Sequence, residues 1–383
     1  MSTEQMTSRE RLMTTIAGGI PDRVPIIPDF SNMIPAKMTG RPFWDIYLHG
    51  NPSLYIAYVK AAQYYGIDGW YQAYDAVTFN RKNQPTVTQQ TISQNSERIV
   101  VRHTYDTACG SLGDETTYYV ADPPTVSVKR VKDLQADFAK VKCFYGDIES
   151  YDASKLPEYR KMCGENGIFT LGVGYPGMHD WIGWFAGGLE AAVYAYYDHP
   201  VIFDEWADIM EKSTLQQAEI LLSLKPDVLL LGGSGTVTLS NPELVRKYSL
   251  PTIQKVCKMA KEAGILTMLH SCGKTMAMMD MLVNETELDC INPLEAPPMG
   301  DVDLKEVKRL YGDKICLMGN LHTTEVMLYG TVDDVERAAK KAIDDAGAGG
   351  GFLLSTGDQC GRDTPVENLF NLVEVAKTYG AYR

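Results

Sequence analysis

Residues 264–274 read GILTMLHSCGK, and residues 351–361 read GFLLSTGDQCG. Each stretch contains an apolar run that predicts a buried strand, and metal-binding side chains follow the end of that run. His270, Cys272 and Cys360 would together offer one nitrogen and two sulfurs, a zinc set that leaves the fourth tetrahedral position open. Because the two stretches lie far apart in the chain, only a fold that gathers strand ends can bring the three ligands together.

The surrounding sequence predicts a barrel. From residue 168 onward, short apolar runs alternate with helical segments such as 241–263 and 331–346. With two earlier runs they make eight units, which favours an α/β fold of the (β/α)8 TIM-barrel class over a doubly wound sheet. We expect residues 1–383 to form a single barrel domain. The expected strands are residues 24–28, 66–73, 168–173, 227–231, 265–269, 288–291, 314–318 and 352–355.

Residues 80–126 have a different character. Polar and apolar residues alternate from 97 to 105 and again from 116 to 120, which is typical of a hairpin or a small sheet. We interpret this segment as a β-rich insertion that follows the second barrel strand, not as an independent domain. Helical patterning returns over residues 130–165.

Composition limits the partners and the compartment. Of the 383 residues, 45% are hydrophobic and 22% charged, and no apolar run reaches the roughly 20 residues that span a bilayer. The N-terminus lacks the basic start and apolar core of a signal peptide. We therefore expect a cytoplasmic protein that does not contact a membrane and whose eight cysteines stay reduced. A formal net charge of −13 argues against nucleic acid as a partner.

Residues at the strand ends are the candidates for the active site, because barrel active sites lie at the C-terminal ends of the strands. We expect Asp75, Glu295 and Asn320 to face the pocket and to position the substrate or its leaving group. The alternative for these three is helix capping or loop hydrogen bonding. Asp29 and Tyr74, at the first two strand ends, are candidate substrate contacts.

The loop of residues 175–184 is rich in aromatic side chains and is expected to lie over the barrel mouth. Tyr175, His179 and Trp181 are its candidate substrate contacts. The alternative is that the aromatic residues belong to the core and rim, and that His179 lies on the surface. His322, which follows another strand end, is a further candidate for the pocket wall.

Six short motifs carry a resemblance to a known family. They are PDRVP at residues 21–25, HSCG at 270–273, PLE at 293–295, GN at 319–320, GT at 330–331, and the block at 360–368. They resemble motifs of the uroporphyrinogen decarboxylase superfamily, and in particular of its zinc-containing, corrinoid-linked methyltransferases. The likeness extends over nearly the whole chain, and its last block joins the barrel-closing motif of the family to the zinc cysteine.

The resemblance implies methyl transfer between a small substrate and the cobalt of a corrinoid. The chain lacks an Asp-x-His-x-x-Gly motif, so the corrinoid is expected to arrive on a separate protein. Zinc could activate an acceptor thiol or assist departure of the heteroatom of a methyl donor. The pocket-edge aromatic residues favour an aryl methyl ether, and thus O-demethylation. The alternatives are methylation of a thiol resembling coenzyme M, or of tetrahydrofolate.

One departure from the family pattern bears on the remaining alternatives. Uroporphyrinogen decarboxylases carry an arginine-bearing stretch after the first strand, whereas residues 29–35 read DFSNMIP. A substrate with many carboxylates needs cationic partners, so a cofactor-free decarboxylase of this type is a remote alternative. Association into a homodimer is left open.

Overall fold

The computed structural model describes residues 5–382, and its centre is a curled sheet of seven parallel strands. The strands lie side by side in chain order, as expected when each strand–helix unit places its strand next to the previous one. Most strand residues are buried, which explains the continuous apolar sequences. The strands are β1 (Gly69–Gln72), β2 (Gly167–Val173), β3 (Val228–Gly232), β4 (Leu266–His270), β5 (Cys290–Asn292), β6 (Cys316–Leu321) and β7 (Phe352–Thr356).

Residues 24–28 complete the circle between the last strand and the first. Ile26 forms a parallel bridge to Leu354 of β7, and the Asp68 N–H, just before β1, donates to the Ile26 carbonyl at 2.8 Å. A full strand was expected here. The segment makes only a bridge because two of its five residues are prolines, which lack the N–H that a ladder requires. The (β/α)8 class is confirmed, with a reduced closing strand.

The strand registers bring several strand ends to one rim of the barrel. His270 pairs with Gly232 of β3 on one side and with Asn292 of β5 on the other. Asn320 of β6 pairs with Ser355 of β7. The side chains that follow these strands therefore start from neighbouring positions, although they are distant in sequence.

Two apolar layers stabilise the barrel. Trp70, Leu230 and Met268 belong to a buried cluster that also includes Leu12 and Ile16 of the N-terminal helix. A larger cluster lies between the strands and the surrounding helices. Burial of apolar surface, at roughly 25 cal/mol per Å², is the main favourable contribution to such a fold.

The expected insertion is a four-stranded antiparallel sheet between β1 and β2. Arg130 joins it to the rest of the molecule: its Nε donates to Asp114 Oδ2 at 2.6 Å, and its guanidinium lies 4.3 Å from the Tyr105 ring centroid. His103 Nδ1 lies 2.7 Å from Asp114 Oδ1. The strands of this sheet are Thr86–Gln94, Arg98–Thr107, Gly110–Tyr119 and Thr125–Val128.

The helical patterning expected over residues 130–165 is interrupted. Ile148–Asp152 is a strand, and it pairs antiparallel with Thr78–Arg81 to form a separate two-stranded ribbon. Helices Leu134–Val141 and Leu156–Cys163 flank it. This pairing joins segments about seventy residues apart, so local periodicity could not reveal it.

The remaining helices surround the barrel or cover its ends. No helix within residues 5–382 is both long and apolar enough to cross a membrane. Lys142–Tyr145 forms a 3₁₀ turn, and Val245–Ser249 and Thr323–Leu328 form π-helical turns. The other α-helices are Ser8–Ile16, Met33–Met38, Phe43–Tyr47, Leu54–Tyr65, Met178–Trp181, Gly188–Asp198, Pro200–Ser223, Pro242–Leu244, Leu250–Glu262, Met276–Glu285, Leu304–Tyr311, Val332–Ala346 and Val366–Thr378.

Candidate active site

A cavity of about 520 Å³ opens at the rim where the barrel strands end. Its wall includes Asp29 after the closing segment, Gln72 of β1, Gly232 of β3, His270 of β4 and Asp358 after β7. Five separate chain segments thus contribute to one cavity. Its position at the C-terminal ends of the strands is where the active sites of such barrels lie.

Three potential metal ligands meet beside this cavity. One ligand atom each from Cys272, Glu295 and Asp358 lies within 4.8 Å of the other two. Cys272 follows β4, Glu295 follows β5 and Asp358 follows β7, so the barrel itself assembles the group. Burial, together with the nearby carboxylates of Asp358 and Glu295, raises the pKa of the Cys272 thiol to about 11.

The loop after β4 positions two of these ligands together. The Gly273 N–H donates to Glu295 Oε2, which fixes the carboxylate beside the preceding cysteine. Gly273 has φ +80°, and a Cβ at this position would overlap the Thr238 hydroxyl. That hydroxyl accepts a bond from the Lys274 N–H at 2.7 Å. Glycine is therefore required here both by its backbone conformation and by the close approach of Thr238.

His270 is oriented by a hydrogen bond from the next strand. Its Nδ1 lies 2.7 Å from Asn292 Oδ1, and Asn292 is itself buried at the end of β5. A bond at Nδ1 leaves Nε2 as the atom that could coordinate a metal. Metal-binding histidines commonly have one ring nitrogen held in this way.

Cys360 lies on the Asp29 side of the site. Its N–H donates to the Asp29 carbonyl at 2.9 Å, and its thiol lies beside Thr356. Burial, together with the Asp29 and Asp358 carboxylates, raises the pKa of this thiol to about 12. Burial and Asp358 also raise the pKa of the Asp29 carboxyl.

The expected set of His270, Cys272 and Cys360 is not the group whose ligand atoms lie within 4.8 Å of one another, and it stays a prediction. Among residues 5–382, the group within 4.8 Å consists of Cys272 with Glu295 and Asp358. The five side chains nevertheless offer thiol, imidazole and carboxylate groups, which is the ligand chemistry of zinc.

Three expected substrate contacts line the cavity, Asp29, Tyr74 and His179. The Tyr74 hydroxyl donates to Gln72 Oε1. Neither ring nitrogen of His179 has a hydrogen-bond partner within the described chain, and burial lowers its pKa to about 4. His179 is therefore neutral at pH 7, and its side chain lines the cavity.

Tyr175 and Trp181 do not line the cavity, contrary to expectation. The Tyr175 hydroxyl lies 2.7 Å from Thr236 Oγ1, and its ring lies behind His179 with the ring centroids 4.8 Å apart. Trp181 is fully buried, and its Nε1 donates to Met210 Sδ at 3.1 Å. Residues 178–181 form a short helix whose apolar side chains pack inward, so this aromatic stretch is mostly core.

Asn320 and His322 line a different cavity, which is bordered by the helices that follow β5 and β6. His322 Nδ1 accepts bonds from the Thr324 and Glu325 N–H groups, so His322 caps the π-helical turn. Neither Asn320 nor His322 lines the main cavity, so the prediction that they face it has no support from their location.

Asp75 also lies outside the main cavity. Its Oδ2 accepts from Lys155 Nζ at 2.8 Å and from the Tyr159 hydroxyl at 3.0 Å. The side chain is about half exposed and borders an adjoining cavity. The expected role of Asp75 in positioning the reacting group therefore has no support from its location.

Sequence reasoning did not single out several residues that line the main cavity. Asp358 lies within residues 351–361, shortly after an expected strand, and this position could have identified it. Others come from loops without a recognisable motif. Buried polar atoms in the wall that have no partner within residues 5–382 belong to Asn32, Tyr47, Trp70, His179, Asp180 and Gln359.

The C-terminal half of the chain matches a known family model. Residues 185–379, just over half of the chain, match the model described as uroporphyrinogen decarboxylase (URO-D). This chain belongs to the uroporphyrinogen decarboxylase family. The resemblance seen in the sequence motifs is thereby confirmed. Cys272, Glu295 and Asp358 all lie inside the part that matches the family.

Relatives of this uroporphyrinogen decarboxylase family chain include methylcobamide:CoM methyltransferases. MtbA of Methanosarcina mazei is 34% identical over 160 residues, which are 38% of this chain and 43% of the relative. MtaA of Methanosarcina barkeri is 25% identical over 181 residues, which are 47% of this chain and 50% of the relative. The matches thus span half or less of the length of these relatives.

A solved methyltransferase from Methanosarcina mazei shares the fold. It covers 98% of this chain and 100% of its own length with a TM-score of 0.65, at 16% sequence identity. The agreement supports the barrel architecture along the whole chain.

Proposed function

We propose that this chain transfers a methyl group between a small substrate in the main cavity and the cobalt of a corrinoid carried by a separate protein. The observation that carries the proposal is the group of Cys272, Glu295 and Asp358 at the rim of the barrel. The names of the curated relatives support the same chemistry. The open rim leaves room for a corrinoid protein to approach the cavity.

Zinc is the metal that best fits the donor set in our proposal. Cys272, Glu295 and Asp358 would hold it, with His270 and Cys360 as the further candidates beside them. When bound, zinc would supply Lewis acidity toward a thiol or an ether oxygen. The Gly273 N–H keeps Glu295 in place, and Asn292 fixes the His270 ring, so both side chains are oriented in advance.

The charge of the cavity supports a neutral methyl donor over an anionic acceptor. Among the described residues, no lysine or arginine lines the cavity, whereas Asp29, Asp180 and Asp358 do. A sulfonate, as in coenzyme M, would find no cationic partner there. Arg362 follows Cys360 closely, but its guanidinium bonds Asp122 and Asp363. We therefore propose demethylation of an aryl methyl ether by cob(I)alamin.

In this direction the methyl carbon leaves the ether oxygen, and the bonding electron pair stays on that oxygen as a phenolate. Cob(I)alamin supplies the electron pair of the new cobalt–carbon bond. The phenolate must then be stabilised or protonated. Burial raises the pKa of Asp180 to about 6, so a carboxyl in the cavity wall carries a proton in part at neutral pH. Neutral His179, beside it, can donate a further hydrogen bond.

The second candidate is the reverse direction, in which methylcobamide methylates a thiol resembling coenzyme M. The names of the relatives favour it, because both are methylcobamide:CoM methyltransferases. Tetrahydrofolate is a further acceptor to include in a test. Decarboxylation of a substrate with many carboxylates is the least supported function, because the cavity wall has no cationic side chain among the described residues.

The direction of transfer can be tested directly. The protein is incubated with cob(I)alamin and a panel of methoxylated aromatic compounds, and methylcobalamin is followed by absorbance. In parallel, methylcobalamin is offered to coenzyme M, homocysteine and tetrahydrofolate. We expect methylcobalamin to form from at least one aryl ether. Its consumption by a thiol or by tetrahydrofolate, with none formed from any ether, would establish the second candidate.

A further inference from the structure

A second cavity of about 490 Å³ adjoins the main one. The two have several wall residues in common, so a ligand in one cavity can extend into the other. The shared residues are Ser31, Tyr47, Leu54, Gln72 and Tyr74. They come from the region that follows the closing segment and from the end of β1.

The wall of this second cavity is mainly aromatic and aliphatic. Tyr55 and Tyr58 project from helix Leu54–Tyr65, and Ile46 lies in helix Phe43–Tyr47. Among the described residues, no lysine or arginine lines it. Its one carboxylate, Asp75, already accepts bonds from two partners within the protein. The remaining surface offers flat apolar walls, which suit an aromatic ring.

Tyr47 stands where the two cavities meet. Its hydroxyl is buried and has no hydrogen-bond partner within the described chain. Other tyrosines of the wall are satisfied: the Tyr55 hydroxyl donates to the Tyr159 carbonyl at 2.8 Å, and the Tyr58 hydroxyl accepts from the Trp70 N–H at 3.4 Å. A buried hydroxyl without a partner is unfavourable, and a ligand oxygen at the junction would satisfy it.

We propose that the second cavity binds the aromatic ring of the methyl donor, with the Tyr47 hydroxyl bonding an oxygen substituent of that ring while the methyl group points toward the main cavity. This inference rests on the proposed function and adds the location of the part of the donor that does not react. Leu54 and Tyr47, which line both cavities, then determine which rings fit.

Binding of 2-methoxyphenol, measured by calorimetry without any corrinoid, tests the proposal. Leu54→Trp narrows the junction and is expected to weaken binding by at least about tenfold, because a filled cavity cannot accept the ring. Tyr47→Phe removes only a hydroxyl that has no partner in the protein, so it is expected to weaken binding about three- to tenfold without lowering the Tm. Tyr64→Phe, at an exposed tyrosine of helix Leu54–Tyr65, is the matched control.

The possible outcomes separate this inference from the proposed function. Ring binding that depends on Leu54 and Tyr47, without methylcobalamin formation, would support the cavity assignment and contradict the demethylation direction. Turnover of aryl ethers that is unchanged in both variants would overturn the cavity assignment and leave the function intact. Absence of 2-methoxyphenol binding to the wild-type protein would also overturn it. Coenzyme M is expected not to compete with 2-methoxyphenol for binding to the wild-type protein.

Discussion

Cys272 is the one residue common to the zinc set expected from sequence and to the group that the structure assembles. We expect the wild-type protein to bind about one zinc per chain and Cys272→Ala to lose it, because loss of a ligand exceeds the roughly 10- to 100-fold cost of losing a supporting bond. Cys109→Ser, at an exposed thiol in the inserted sheet, is the control. Metal analysis after gel filtration measures the zinc content of each protein. Full zinc occupancy in Cys272→Ala would contradict the proposed site.

Two further variants in the same experiment distinguish the candidate sets. Cys360→Ser tests the ligand expected from sequence, and Asp358→Asn tests the carboxylate that the structure brings beside Cys272. Loss of zinc only in Cys360→Ser supports the set with two sulfurs. Loss only in Asp358→Asn supports the set with one sulfur and two carboxylates.

Asp68 lies at the centre of a buried ionic cluster, beside the segment that closes the barrel. It is fully buried, and it accepts from Arg11 Nη1 at 2.7 Å, from Arg23 Nη1 at 2.8 Å and from the Ile26 N–H at 2.8 Å. Asp68→Ala would leave positive charge buried beside an unpaired N–H. We expect it to lower the free energy of unfolding by about 3–5 kcal/mol.

Urea unfolding measures this loss. Glu306→Ala, which removes the exposed partner of Arg309, serves as the control, and we expect it to leave the unfolding midpoint unchanged. A similar small effect for both variants would show that Asp68 does not hold the closing segment in place.

At the scale of elements, the loop after β4 depends on one glycine. Gly273→Ala would introduce both the strain of φ +80° and an overlap with the Thr238 hydroxyl, and it would displace the N–H that holds Glu295. Gly264→Ala is a matched control, because Gly264 has φ +69° but no atom within 4 Å of the added Cβ. The control should cost about 1–2 kcal/mol of stability from conformation alone.

We expect Gly273→Ala to lower stability by more than the control and also to accelerate release of zinc to a chelator. Unfolding in urea and zinc release are measured on both variants. Equal losses of stability in the two variants, with unchanged zinc release, would mean that the loop tolerates the added methyl group. The position of the Glu295 carboxylate would then not depend on Gly273.

The inserted sheet shows which of its features the sequence predicts and which it does not. Alternation over residues 97–105 predicted a strand, and the structure has it. The link between Arg130 and Asp114 could not be foreseen, because it joins a residue beyond the sheet to one within it. The strand Ile148–Asp152 was missed for the same reason, since its partner lies far away in the chain.

For the whole molecule, periodicity and strand ends were sufficient to predict the barrel and the rim on which the site lies. They also identified His270, Cys272 and Asp29 near that rim. They could not distinguish a strand-end side chain that faces the cavity from one that turns outward, as Asn320 shows. Nor could they separate an aromatic wall from an aromatic core, which is why Trp181 was misplaced.

The second cavity could not be predicted from the sequence, for a further reason. Its wall combines residues 46–58 with Gln72 and Tyr74, and no periodic pattern links a helix surface to a strand end across that distance. Only the packing of helix Leu54–Tyr65 beside β1 brings them together.

The potential metal ligands and the wall of the second cavity come from different parts of the chain. The potential metal ligands lie within residues 185–379, the part that matches the family, whereas the wall of the second cavity comes from residues 31–75. Changes at residues that line only the second cavity, such as Ile46 and Tyr55, can therefore accumulate without altering these ligands. We expect relatives of this chain to diversify in this early region while retaining one chemistry, so that new specificities evolve within the first fifth of the sequence.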